Sequence, residues 1–457
     1  MAGPIRPNPG NKQEALNFAY MYGYPLLEYG RFIAHMPNPT TNKLYHSQKL
    51  ATHRDIRVVR PNSDTIYSSI FTDLSSNNLE LEIPAIPDRY WCYSFYDMYA
   101  NNTVNISSLQ GHQPGKYLIR CTDKDFGLQL SSSESGYKGY ANMPTPYGIF
   151  LLRFATNQSA SDQAVVNKYQ GQVRIKCIQR AASIAPPFQL SIFTEPGHRP
   201  SKTVSKAEAV LRLTAKLSPY NLSPVLGDRQ WIAAALKESG IENGNFICPE
   251  GVDMSCVNRV AQIQAEALIQ TDTLSHGNGW ISRYPEYLGD YGSHYAARYY
   301  IACGGYLAIT KDQAAYPSLP SIVELGSDEA ILIRFSRRPV LVETGFWSLT
   351  AYNKEQNLVP NDLHRYCLGD RDNLTFPDGT PLSDKSKDGE FYILLQPADV
   401  KPPQKWMNNW LPFSAGGGKG SITLRWYGAK DEMMSKAYEY PRIERIKAIT
   451  ETANSML

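Results

Sequence analysis

At 457 residues the chain is long enough to bury two or three separate cores. Its 46 basic and 43 acidic side chains nearly balance, and no Lys/Arg block or stripe interrupts them, so nucleic acid and anionic membrane are set aside as partners. The 7 cysteines are scattered and odd in number, which points to reduced thiols rather than a disulfide framework. There is no apolar leader and no run of about 18 uncharged apolar residues, so a soluble, cytoplasmic protein is expected. Tyrosine stands out at 30 residues, a composition suited to β-structure and to half-polar pockets.

In chain order, residues 11–24 have the spacing of an amphipathic helix, with Ala15, Phe18, Ala19 and Tyr22 on one face and Gly23 and Pro25 as its stop. Residues 57–193 read as all-β, with strands at 65–74, 90–99, 117–121, 148–154 and 173–178. Helical spacing follows at 206–217, 228–238, 257–270 and 293–307, and Asp228 is placed to cap the second of these. The β pattern returns at 330–335, 340–348, 391–396 and 421–427, before a closing helix expected at 443–452. The expected fold is multidomain α+β, mainly β. It has an N-terminal helix and lead-in (1–56), a first sandwich (57–200), a helical subdomain (201–327) and a second sandwich with the closing helix (328–457).

Residues 60–105 concentrate polar groups among aromatic ones. Strand alternation puts Trp91, Tyr93, Phe95, Asp97 and Tyr99 on one face, so Asp97 ends a wall of rings, while Asp64 opens the other strand beside Asn62. A carboxylate bordered by aromatic surface is costly to desolvate unless it is partnered.

The motifs Pro61-Asn62-x-Asp64-Thr-x-Tyr67-Ser68, Asp97-x-Tyr99-x-Asn101-Asn102, Tyr295-x-x-Arg298, Gly345-Phe346-Trp347-Ser348-Leu349-Thr350-x-Tyr352 and Leu424-Arg425-x-Tyr427 carry a resemblance. The chain resembles the paired families of unknown function numbered 1254, over its N-terminal half, and 1214, over its C-terminal half. The resemblance implies two jelly-roll-like domains with a helical insertion, and it brings no established reaction. The chain departs from the pattern at His294, a position often acidic in such proteins, and at 119–124.

None of the 8 histidines forms a His-x-His pair. His53-Arg54-Asp55 with His112 has the ligand order of an iron(II)/2-oxoglutarate oxygenase, a pattern common by chance. No nucleophile elbow or phosphate-binding glycine fingerprint occurs, and 416–420 reads as a glycine-rich hairpin. What remains is acid–base chemistry without cofactor or metal. Asp64 and Asp97 would act as a carboxylate pair with Tyr67 and His294. Asn62, Tyr99, Asn101, Asn102, Arg298, Trp347 and Tyr352 would hold the substrate. For each residue alone the structural reading is the commoner one, since Asn-x-Asp-Thr is a good Asx-turn and Trp347 alternates as core. The leading expectation is a small-molecule enzyme of lyase, cyclase, isomerase or hydrolase type in a biosynthetic pathway, acting on an apolar or aromatic substrate, with a homo-oligomer open. The alternatives are a carbohydrate- or ligand-binding sandwich, the oxygenase, and a shell-forming assembly module.

Overall fold

The computed structural model describes residues 5–56, 59–131, 136–320 and 322–451. It is a mixed α and β structure, 31% strand and 24% helix, so the expected predominance of β holds.

The first half builds two facing sheets. One contains β1 (Tyr45–His46), β2 (Thr65–Asp73), β9 (Tyr147–Ala155), β4 (Trp91–Asp97) and β5 (Asn102–Ser107), in that order and antiparallel throughout. The other contains β10 (Arg174–Gln179), β3 (Asn77–Ile83), β6 (Gly115–Cys121), β8 (Gly139–Met143) and β7 (Gly127–Leu130), with β6 and β8 parallel. Alternate residues, among them Ile66, Ile70, Trp91, Phe95, Phe150 and Phe154, meet Leu79, Leu81 and Ile119 in the core between the sheets.

Residues 57–193 are not all-β, because α2 (Ala160–Gln172) interrupts them. Only Val166 and Gln170 of this helix are buried, so it carries no hydrophobic period to read.

The second half repeats the plan. One sheet is ordered β15 (Ala314–Ala315), β22 (Gly418–Ala429), β18 (Leu341–Asn353) and β19 (Cys367–Gly369), with β16 (Val323–Leu325) also on β22. It faces β21 (Trp410–Phe413), β20 (Phe391–Pro397), β17 (Glu329–Phe335) and β23 (Arg442–Lys447). Trp347, Leu349, Leu424 and Trp426 pack there against Ile331, Phe335, Phe391 and Ile393. The expected helix at 443–452, whose last residue lies outside the described ones, is instead β23, paired with β17 from Arg334↔Arg442 to Glu329↔Lys447. Ile443 and Ile446 have helical spacing, yet each packs in a different cluster on either side of the strand. The glycines at 416–418 join strands of two different sheets, so they form a crossover and not a hairpin.

The helical layer is organised on α1 (Lys12–Ala34), whose amide at Glu14 is capped by the Asn11 side chain. Around it pack α3 (Lys206–Leu217), α4 (Arg229–Glu238), α5 (Val257–Thr271) and α6 (Tyr295–Gly305), and α1 is buried on nearly all sides. Helix α1 does not stop at Gly23 and Pro25. The burial of Leu26, Leu27, Tyr29 and Ile33 in the same core holds the chain helical past the proline, against a cost of about 3 kcal/mol. The Asp228 side chain makes no cap bond to α4. It accepts instead from Trp231, Ser293 and Tyr295 and pairs with Arg6. Small hairpins β11 (Ile241–Glu242)/β12 (Asn245–Phe246) and β13 (Thr273–Gly277)/β14 (Trp280–Arg283), and the short α7 (Asp431–Met434), complete the chain. Among the described residues no helix is long and apolar enough to cross a membrane.

Candidate functional site

The outer face of the first sheet is where the three layers meet. Residues that alternate with its core, such as Phe71 and Ile149, pack under the helices. At the other end Tyr90, Cys92 and Ala155 pack against Phe346 and Tyr427 of the second sandwich. Arg153 sits on this face of β9, between those two coverings.

Arg153 is 4% exposed. Its Nη1 donates to Ser94 Oγ at 2.7 Å, and its Nη2 to Tyr96 Oη at 3.0 Å and to the Leu307 carbonyl at 3.3 Å. Its Cζ lies 5.7 Å from the centre of the Tyr67 ring. Every bonded partner is a neutral oxygen. Leu307 holds φ at +63°, a conformation that a bulky residue rarely adopts, and this aims its carbonyl at Arg153. Burial pushes Tyr96 up to about 12, with Arg153 opposing, and it also raises Tyr316.

A second buried guanidinium stands across the junction. Arg425 of β22 donates to the hydroxyls of Thr350 and Tyr352, with its Cζ 6.0 Å from the Tyr316 ring. The Tyr316 and Tyr427 hydroxyls are 3.5 Å apart. Between them, Tyr67, Tyr316, Tyr352, Tyr427, Arg153 and Arg425 give the junction two cations and a set of phenols.

Asp64 ties the two sandwiches together. It accepts from Ser348 Oγ at 2.7 Å and from Arg371 Nη2 at 2.6 Å, and Cys367 Sγ lies 3.4 Å away. Arg371 also donates to the Asp64 and Thr156 carbonyls, and it stacks 4.0 Å from the Phe346 ring. Burial alone would raise the Asp64 pKa, but the charges of Arg371 and Arg425 and the bonds from Ser348 and Arg371 outweigh it and hold the group below the usual carboxylate value. Asn62 accepts from the Asp64 amide and donates to Tyr427 Oη at 2.7 Å, and Tyr352 Oη donates to the Pro61 carbonyl.

The expected Asp64–Asp97 pair is not made. Thr65, next to Asp64, is opposite Ala155 of β9, whereas Asp97 is opposite Gly148. Those positions are about 23 Å apart along the strand at 3.3 Å per residue. Asp97 accepts from the amides of Tyr99 and Asn101 at 2.8 and 2.9 Å and from Asn101 Nδ2 at 2.6 Å, closing the β4–β5 turn. Burial raises its pKa, partly offset by Arg298 and these bonds. Arg298 lies in a cage of Tyr22, Tyr99 and Tyr295, at 4.6–5.0 Å, and bonds the Tyr22 carbonyl. Asn102 accepts from Asn105 and Thr310. His294 precedes α6 with its ring edge-on to Tyr287, and burial lowers its pKa.

Asp64, Tyr67, Asn62 and Tyr352 therefore gather at the junction, while Asp97, Tyr99, Asn101, Asn102, Arg298 and His294 belong to the contact with the helices. Trp347 belongs to neither, since it lies in the second core against Phe335, Phe391 and Trp426. The oxygenase triad does not assemble. His53 bonds Tyr366, Asp55 bonds Thr52, and His112 accepts from the Ser107 amide. Among the described residues no group of three His, Cys, Asp or Glu is placed to hold a metal ion.

Sequence reasoning passed over Arg153 and Arg371 and left Arg425 without a role. The available signal was a lone arginine in the otherwise apolar run Tyr147-Gly-Ile-Phe-Leu-Leu-Arg-Phe-Ala155, whose residues are all buried.

Comparison with known proteins adds the lineage. Residues 41–177 match the family model described as "Protein of unknown function (DUF1254)", and residues 324–431 match "Protein of unknown function (DUF1214)". No curated protein matches the chain. The crystal structure of the VPA0106 protein from Vibrio parahaemolyticus is similar, at 20% identity and a TM-score of 0.63, over 96% of this chain and 100% of that one, and it shares the fold. A protein from Burkholderia cenocepacia matches at 13% identity and a TM-score of 0.45, over 95% of this chain and 89% of that one. The chain belongs to the paired families of unknown function DUF1254, in its N-terminal half, and DUF1214, in its C-terminal half.

Proposed function

We propose that this protein is a small-molecule enzyme that handles an organic anion by acid–base chemistry around Arg153, with two jelly-roll-like sandwiches as its scaffold. One observation carries the reading: Arg153 is buried with only neutral oxygens bonded to it. A buried charge is costly unless it is paired, and natural cores retain such a residue chiefly where function needs it. A carboxylate or enolate laid against the guanidinium supplies the missing charge.

The tyrosines fix the direction of proton transfer. Tyr96 and Tyr316 keep their protons at neutral pH; Tyr96 donates its own to the Leu307 carbonyl at 3.1 Å, which leaves Tyr316 to donate to an oxyanion that develops beside the guanidiniums. The Tyr67 ring faces Arg153, and the Tyr427 hydroxyl is 3.5 Å from that of Tyr316. Asp64 is fully engaged by Ser348, Cys367 and Arg371, so its part is to position the strand ends and not to move protons. Isomerase, lyase, cyclase and hydrolase steps that go through an enolate or a tetrahedral intermediate develop such an oxyanion, and the apolar rings of Tyr90, Phe346 and Tyr427 suit an unsaturated substrate.

The test is proton exchange. 2-Oxo and unsaturated carboxylates are incubated with the protein in D2O and followed by NMR. The expected result is deuterium uptake above the uncatalysed rate in one class of acid, with water taking the carbon-bound proton while Arg153 stabilises the enolate, and the effect is lost in Arg153→Gln. Saturable binding of the acids without exchange or turnover would make the protein a binding module. No interaction with any anion would overturn the reading altogether.

A further inference from the structure

Away from the junction, the helical layer contains a cavity of about 180 Å³. Leu222, Ile232, Leu236 and Ile241 form its walls, and Tyr22 and Ser223 lie at its floor. A cavity of about 150 Å³ with aliphatic walls is enough to take benzene, so the space suits a ring or a short alkyl chain.

Its one polar feature of consequence is Arg229. The Nε donates to the Ser223 carbonyl at 2.8 Å, which fixes the guanidinium at the cavity wall, and neither terminal nitrogen bonds an acceptor among the described residues. The acidic groups around it are already committed. Glu242, also on the wall, pairs with Lys237 at 3.0 Å. Asp228 accepts from Trp231, Ser293 and Tyr295 and pairs with Arg6. Behind the floor, Arg298 lies 4.7 Å from the Tyr22 ring and opposes the charge of Asp97 there. Leu222 at the rim is 46% exposed, which leaves the mouth apolar and open.

We infer that this cavity is a second binding site, for a small apolar monocarboxylate such as a medium-chain or aryl-alkyl acid. The chain or ring enters between α4 and the Leu222 loop, and the carboxylate pairs with the terminal nitrogens of Arg229. The site is separate from Arg153 and does not depend on the proposed reaction.

The probes are octanoate and octan-1-ol, titrated by calorimetry against the full chain and three variants. Octanoate is expected to bind saturably and at least about tenfold more tightly than the alcohol, a margin set by one charge-assisted pair. Arg229→Gln should bring octanoate down to the level of the alcohol. Ala233→Trp, a change at an exposed wall position of α4, should remove binding of both. Arg153→Gln should leave octanoate binding intact. Equal affinity for acid and alcohol, octanoate binding that survives Ala233→Trp, or no binding of either probe would overturn the inference.

Discussion

Asp64 and Asp97 are two buried aspartates with opposite electrostatics, and they respond to pH and to substitution in opposite ways. Asp64 has its native pKa below the ordinary value near 4. Its contribution to stability is therefore present above that value and is lost as pH falls through the lowered native one. Asp97 has its native pKa raised, so the folded state favours the proton, and burying this charge costs stability as pH rises past its native pKa. Asp64→Asn leaves Arg371 and Ser348 facing an amide and should cost about 3 kcal/mol. Asp97→Asn should cost under about 1 kcal/mol, because it relieves a buried charge, and a flip of the Asn101 amide, whose Nδ2 now faces Asp97, brings its unpartnered Oδ1 round to accept from the new amide. Chemical denaturation of both variants between pH 3 and 8 checks this; equal losses would contradict it. The sequence makes these two aspartates look alike, since each lies next to rings and asparagines. Only pairing across β9 separates them by the length of a strand, and pairing is not written in either motif.

At the scale of elements, periodicity was legible and context was not. Helix α3 falls on residues 206–217 as expected, β2, β9, β17 and β20 lie within one residue of their expected bounds and β4 within two, because runs of β-branched and aromatic residues are bounded there by turn formers. Helix α1 overran its predicted stop because its neighbours decide the matter. A Cβ placed on Gly23 would overlap Thr214 Oγ1 of α3, so glycine is required there for close packing and not for termination. Gly23→Ala should therefore destabilise by about 1–2 kcal/mol although alanine is the better helix former by about 1 kcal/mol. Adding Thr214→Ala should recover most of the loss in a double-mutant cycle. Additive losses in thermal denaturation would show that the two helices do not meet there. Strand β23 failed the periodic reading for the complementary reason: both faces of its sheet are covered, so apolar residues three apart serve two different clusters.

At the scale of the whole molecule, the candidate site lies where two sandwiches and a helical layer converge, and no single segment contains it. Asn62, Asp64 and Tyr67 come from β2 and its approach, Arg153 from β9, Leu307 from the end of α6, and Ser348, Arg371 and Arg425 from the second sandwich. That is why the sequence motifs marked the Asp64 side of the junction and missed the arginine beside it. Under the proposed function Arg153 is kept for a ligand and not for the fold. Scanning calorimetry of the native chain and Arg153→Met, each with and without saturating benzoate or cinnamate, separates the two. A ligand role predicts that the apo variant melts within about 2 °C of the native chain, or above it, and that stabilisation by the aromatic acid is seen only in the native chain. A variant that melts many degrees lower, or one that still gains the same stability from the acid, would contradict it.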